Sequence, residues 1–584
     1  MSIDQSAKTP QRPARPGGEF FLRPDSPAHR RYEALRAYLA EGLPAAEAAA
    51  RFGYTPASLV SAVRDFRAGA REFFTAGRPG PKTAPGKDAA RPRILELRAA
   101  GHSIDEIAAA LAAEGTPLNR TGIAEVIAAE GLPRLWRRPD ADRGGVAREI
   151  QPRAEALDFS ALPERAETRL AGLLLAVPDL IALGIPDMIT AAGYPSTPNI
   201  PALSYVLSLL ALKLTATRRV SHVYDIAADP GAALFAALTA LPKATALTTY
   251  SYRLQHRRQA AFLAALDKAS LAAGLATGEA LNLDFHAVMH WGEDAALERH
   301  YVPSRSQRTR SVLTFFAEDA GTHTLLYANA DLAKATQNRE VIAFADHWKT
   351  VTGHDPALLI FDSKLTTQAV LAELDDRHIA FITLRARHPG VTAALAALPA
   401  SAWTAMTLAR AGGRTRRVKI HDNPAAQLSA YPRPLRQLAV TGLGHDQPTL
   451  LITNDHTTPA RKIVESYSRR MNIEQRLAEA IQSFGLDALA GAVPLNVDLD
   501  VVLSVLAHTI CAALRRRLPG YHTATPDTLQ RRFLSTGGII TSHGDQITIR
   551  LNRRTYSPVL RQASLPETIT VPWWGNRTLR YEYA

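Results

Sequence analysis

Residues 357–387 read ALLIFDSKLTTQAVLAELDDRHIAFITLRAR, and this stretch decides the architecture. An apolar run, ALLIFD, is followed by a helical segment, TTQAVLAELDDRH, and by a second apolar run, IAFITLRA. Short continuous apolar runs suit strands buried on both faces, and a helix between two of them suits a crossover connection. The expectation is strand, helix, parallel strand. Asp362 then ends the first strand at the carboxyl edge, where α/β sheets build their sites.

Upstream, LNLDFHAVMHW (281–291), SVLTFFAED (311–319) and HTLLYANAD (323–331) are rich in β-branched and aromatic residues and are separated by polar loops, so they read as a meander of three strands. A helical stretch, QNREVIAFADHWKTV (337–351), joins them to the opening segment. The order βββαβαβ is that of a ribonuclease H-like core, three antiparallel strands extended by parallel ones. Downstream come short strands in WTAMTLA, RRVKIHD, LRQLAVTGL and PTLLITND, then a long helix over Ala460 to Phe484 and another over about 498–518.

The expected plan is α/β. It has a ribonuclease H-like catalytic domain over 280–518, with a β insertion at about 395–458, and a C-terminal β-rich domain over 519–584. Residues 512–584 hold 11 arginines, no lysine and four acids, which suits phosphate contact. Residues 150–279 read as a helical domain broken by prolines, with Lys213, Arg218, Arg219, Lys243 and Arg253 as DNA-positioning or solvated charges. Ahead of it, two helix-turn-helix modules are expected over 27–76 and 94–140. The first turns at Gly53 and opens its second helix on Thr55 and Pro56; the second turns at Gly101 and opens a helix near Ser103. A Pro/Gly/basic linker over 77–93 joins them, and a disordered basic arm covers 1–26.

At 584 residues several domains are expected, and a net charge of +13 suits a polyanionic partner. The single cysteine, Cys511, excludes an internal disulfide and a Cys-rich zinc site. No apolar signal region opens the chain, and the stretches 171–185 and 501–514 are interrupted by Asp179 and His508. They read as core helices, so a cytoplasmic, nucleoid-associated protein with no membrane partner is expected.

Phosphodiester cleavage requires an activated oxygen nucleophile and a stabilised leaving oxygen, which two Mg²⁺ ions held by carboxylates can supply. Asp284 lies between Leu283 and Phe285 in the first strand, where a lone carboxylate calls for a partner or a metal. In the expected sheet the strand ending at Asp362 lies beside it, so the two aspartates converge. Singly, Asp284 could be a surface strand residue and Asp362 a turn or helix N-cap. In the long helix Tyr467, Arg470 and Glu474 fall on one face at about 100° per residue. An exposed Arg470–Glu474 pair is the alternative reading there.

LNLDFHAV (281–288), the opening segment with Asp362, and YSRRMNIEQ (467–475) together resemble the DDE transposases of bacterial insertion sequences. The similarity is to the cut-and-paste group with a β insertion before the glutamate and a Tyr-x2-Arg-x3-Glu-x6-Lys signature. It implies a transposase whose catalytic metal ligands are Asp284, Asp362 and Glu474, holding two Mg²⁺ or Mn²⁺ ions. It further implies that Tyr467 and Arg470 contact DNA phosphate. Double-stranded DNA, as element ends and target, is the implied partner, and a homodimer the implied synaptic form. The signature lysine falls at position 481, where this chain has Ile481; Lys364, Arg385 and Arg387 are the candidate replacements. The alternatives are a non-enzymatic DNA-binding protein derived from a transposase, and a ribonuclease H-like DNA nuclease.

Overall fold

The computed structural model describes residues 19–69, 85–133, 135, 152–289, 297–302, 307–362, 367–409, 415–443, 447–486 and 494–583. Its contacts divide the chain into two compact units, Met1–Arg148 and Glu149–Ala584.

The first unit holds α1 (Glu19–Leu22), α2 (Pro27–Leu39), α3 (Ala45–Arg51), α4 (Pro56–Arg67), α5 (Pro85–Ala99), α6 (Ile104–Ala113) and α7 (Arg120–Ala129). Helices α2–α4 close around Leu35, Phe52, Leu59 and Val63, and α5–α7 around Ile94, Ile107, Leu111 and Ile123. Local chemistry sets the starts. The Thr55 hydroxyl accepts from Ser58 N with Pro56 in the first turn, and Ser103 and Glu106 form a reciprocal capping box. Gly53 and Gly101 take positive φ at the turns.

Leu39 and Phe66 stay exposed. Two details differ from the sequence reading. Within the arm expected over 1–26, residues 19–22 are helical. Residues 85–93, read as linker, begin α5. There Ala90 and Ile94 are buried, and the basic side chains are tied down: Lys87 to Glu125, Arg91 to Glu130, and Arg93 to Glu114. The rest of that linker up to residue 84 lies outside the described residues.

In the second unit, β1 (Arg165–Thr168) is followed by α8 (Val177–Ala182), α9 (Ile185–Ala191), α10 (Ala202–Leu214), α11 (Pro230–Phe235), α12 (Ala244–Tyr250) and α13 (His256–Ala272). Then come β2 (Leu281–Met289), β3 (Arg299–Val302), β4 (Gln307–Asp319), β5 (Leu325–Asn329), α14 (Glu340–Thr352), β6 (Leu358–Phe361), α15 (Gln368–Asp376), β7 (Ala380–Leu384) and α16 (Pro389–Ala396). Four strands follow, β8 (Thr404–Ala409), β9 (Thr415–Ala426), β10 (Leu435–Thr441) and β11 (Thr449–Thr453). After them run α17 (Ala460–Phe484) and α18 (Pro494–Arg517). The chain closes with α19 (Pro526–Leu529), β12 (Gly538–His543), β13 (Gln546–Leu551), α20 (Ser557–Gln562), β14 (Thr568–Val571) and β15 (Arg577–Tyr583).

The larger sheet runs β3-β4-β2-β6-β7-β11-β10-β9-β8, with β5 also on β4. Strands β2, β4 and β5 are antiparallel, β6 and β7 continue from β2 in parallel, and β11 to β8 extend the sheet antiparallel. The short β3 adds a strand that the sequence reading did not separate. The smaller sheet runs β1-β12-β13-β15-β14, so the helical segment over 150–279 and the tail over 519–584 share it. Gly172 lies so close to Phe533 O that a Cβ would sit 1.9 Å from it, and the Trp574 indole donates to Leu234 O. Helix α18 is long and apolar enough to span a membrane, but 94% of its apolar window is buried inside the unit, as a core helix requires.

A candidate active site under a single long helix

Parallel pairing of β2 with β6 matches Leu281 to Leu359, Asn282 to Ile360 and Leu283 to Phe361. Asp284 and Asp362 each come one residue after the last of these pairs. Neighbouring strands lie about 4.8 Å apart, so the two carboxylates leave the sheet side by side. Both are half-buried.

Helix α17 crosses this sheet, packing on β2, β6, β7 and β8. Its first half buries Ile463, Val464 and Tyr467 against Ile360, Ile382 and Leu438 of the sheet. Its second half buries Ile473, Leu477, Ala480 and Phe484 in the main core. Between these two anchors stands Arg470, 4% exposed. Its Nη2 lies 3.1 Å from Asp284 Oδ1 and donates to Leu283 O at 3.4 Å. The guanidinium also lies over the Tyr467 ring, 5.9 Å from its centroid. Burial pushes the Tyr467 hydroxyl well above its ordinary value. Arg470 opposes that shift, and the charges of Asp362 and Asp284 add to it. One tyrosine therefore feels both aspartates, and it stays protonated at neutral pH.

Both ends of α17 are held. At its entry, Arg436 grips Asp422 through two bonds of 3.0 and 2.7 Å and donates to the carbonyls of Asp455 and Thr458. The Asp455 carboxylate accepts from Thr457 and Thr458, which turns the chain into the helix. At its exit, Lys213 donates to Phe484 O and pairs with the half-buried Asp500 at 2.6 Å, while the Gln530 amide reaches Ser483 O. Lys213 was read as a DNA-positioning or solvated charge; it is buried and satisfied instead.

Residues 315–565 match the family model described as Transposase DDE domain group 1. The chain carries a transposase DDE domain. A search of the curated proteins finds no match. The matched segment begins within β4 and ends beyond α20, so it takes in Asp362, the inserted strands and α17.

The structure brings Asp284, Asp362, Tyr467 and Arg470 of the proposed site together. Glu474 occupies the α17 position one turn beyond Arg470, and its side chain lies outside the described residues. Among the described residues no three His, Cys, Asp or Glu side chains form a metal cluster. Two carboxylates on adjacent strands nevertheless suit a hard divalent cation, which prefers oxygen donors. Of the candidates to replace the signature lysine, Lys364 lies outside the described residues. Arg385 is committed to Gln437 and to Gln427 O. Ile481 is half-buried against the core and Ala478 is exposed, because the buried face runs through Leu477, Ala480 and Phe484.

Sequence reasoning missed Asn282, two residues before Asp284 and so on its face of β2. Its amide donates to the buried Glu318, which also meets His323 Nδ1. A polar pair next to a candidate ligand on a strand face was the available signal.

Proposed function

We propose that this chain is a DNA transposase acting on the ends of its own element. The helix-turn-helix modules of the first unit bind the ends, and the second unit cleaves DNA and joins the 3′-OH to target DNA. The strand order β5-β4-β2-β6-β7, antiparallel then parallel, supports a ribonuclease H-like core. The observation that carries the reading is the adjacency of Asp284 and Asp362 beneath Tyr467 and Arg470 in a chain with a transposase DDE domain.

Asp284, Asp362 and Glu474 would hold two Mg²⁺ or Mn²⁺ ions. The chemistry such ions supply is activation of water and stabilisation of the leaving oxygen. Arg470 orients the Asp284 carboxylate, and a phosphate attracted by such ions would come within reach of the same guanidinium. The Tyr467 hydroxyl, kept protonated, is a donor for a phosphate oxygen. Joining of two ends calls for a homodimer in the synaptic complex.

The test is incubation of the purified full chain with an end-labelled duplex carrying the terminal sequence that flanks its gene. Cleavage that needs Mg²⁺ or Mn²⁺ and disappears in Asp362→Asn is expected. Binding without cleavage at any metal concentration overturns the catalytic part and leaves a DNA-binding protein. Cleavage without strand transfer leaves a nuclease.

A further inference from the structure

The C-terminal end of α17 abuts a strongly cationic segment. Gly485 ends the helix at φ +66, and a Cβ there would stand 2.7 Å from Arg218 O and 2.9 Å from Arg218 Cα. The loop carrying Arg218 and Arg219 is therefore pressed against the helix end. The 3-10 turn that follows, Val220–Asp225, packs on α12, and so does the turn Ser251–Arg253 at the far end of α12.

Around this short helix Arg218, Arg219, Lys243, Arg253 and Arg257 are all exposed. None of them has an ion-pair partner among the described residues, although cations elsewhere in the unit do: Arg339 with Glu373, Arg377 with Asp346, Arg433 with Asp375. From 214 to 258 the chain has two acids only, Asp225 and Asp229. Asp229 is buried as the cap of α11. Two tyrosines, Tyr224 at 47% and Tyr252 at 49% exposure, stand among the cations. Five cations gathered in a segment with so few acids repel one another, so their clustering adds no stability to the fold. Their complement is a polyanion.

We propose that the segment from Arg218 to Arg257 is a track for the phosphate backbone of double-stranded DNA, continuing from the active site along α17. The proposal rests on the reading of that site as one that cuts DNA. The position of Glu474 lies 11 residues before Gly485, about 16 Å at a rise of 1.5 Å per residue. That distance is roughly five phosphate steps of a B-form strand at about 3.4 Å each. The track is blind to sequence, because it offers charge and ring faces rather than a helix in a groove.

The test uses full-length protein carrying Asp362→Asn, in EDTA, with a duplex of random sequence, so that cleavage plays no part. The slope of log affinity against log salt is read for this protein and after Arg218→Ala, Arg219→Ala, Lys243→Ala, Arg253→Ala and Arg257→Ala are combined. Each lost phosphate contact lowers the slope by about 0.9, so a fall of about 3 or more is expected. The pair Arg339→Ala and Lys349→Ala, whose charges are already paired, leaves the slope unchanged. Should the combined variant fold poorly, Arg218→Ala with Arg219→Ala alone lowers the slope by about 2. An unchanged slope in a folded variant overturns the track even if the wild type cleaves DNA. A lowered slope in a protein that never cleaves keeps the track and overturns the catalytic reading.

Discussion

Arg470 Nη2 stands 3.1 Å from Asp284 Oδ1, joining the middle of α17 to the middle of β2 at a point where the arginine is almost wholly buried. Asp284 therefore has a structural duty besides its place in the candidate site. Removing one partner of a buried ion pair strands the other. Asp284→Asn is expected to lower stability by about 2 kcal/mol as well as abolish cleavage. Asp362→Asn abolishes cleavage and leaves the Asp284–Arg470 pair in place. Urea denaturation of both variants checks this, and equal stability losses would show that the Arg470 bond contributes nothing.

Arg436 is 7% exposed and satisfies four acceptors on two different segments. Arg436→Ala is expected to cost about 3 kcal/mol and to reduce cleavage, since it frees the entry to α17. Arg436→Lys restores little, because an ammonium does not reproduce the fork on Asp422. Thermal melts alongside cleavage rates test the pair. A lysine variant matching wild type in both would refute the clamp.

Asp455 gives a pH dependence with a definite sign. Burial raises its pKa, but hydrogen bonds from Thr458 and Thr457 outweigh that and hold it at about 2. Its folded value lies below the ordinary carboxylate range, so its stabilising contribution is complete above about pH 4. It fades as pH falls through about 2. In Asp455→Asn the wild type's advantage over the variant should shrink across that window in denaturation midpoints. A constant difference from pH 7 down to pH 2 would sink the assignment.

Because Met1–Arg148 and Glu149–Ala584 are separate compact units, a chain beginning at Glu149 should fold and unfold cooperatively. On the proposed function it keeps salt-sensitive affinity for any duplex and loses preference for the terminal sequence. Competition gel shifts decide this. Retained preference would place sequence reading in the second unit.

Ile481 borders the buried face of α17 without belonging to it. Ile481→Lys is expected to stay soluble and to lose about 1 kcal/mol, the stem lying along apolar surface with the ammonium in water. A loss above about 3 kcal/mol in chemical denaturation would mean that the site closes over the side chain.

Much of the fold was legible because its signals are local. The run ALLIFD, helix, IAFITLRA announced β6, α15 and β7, and Thr55 and Ser103 announced helix starts through bonds made three residues away. Asp284 and Asp362 stood out as acids in apolar strands, and the strand order then set them side by side. What could not be read were pairings between distant residues. Lys87, Arg91 and Arg93 looked like a linker because their partners, Glu125, Glu130 and Glu114, lie 21 to 39 residues away. Lys213 looked like surface charge because Asp500 and Phe484 O are far along the chain.

By itself the sequence determined the α/β class and the order of strands and helices over residues 281–484, and it singled out the acids and α17 residues proposed as the site. These follow from periodicity and residue type, which act over a few positions. Only the tertiary structure decided that Arg470 turns inward to Asp284, that Arg436 and Lys213 hold the two ends of α17, and that β1 completes the tail's sheet. A buried charge is stable only beside its complement, and where that complement sits is set by how distant segments pack.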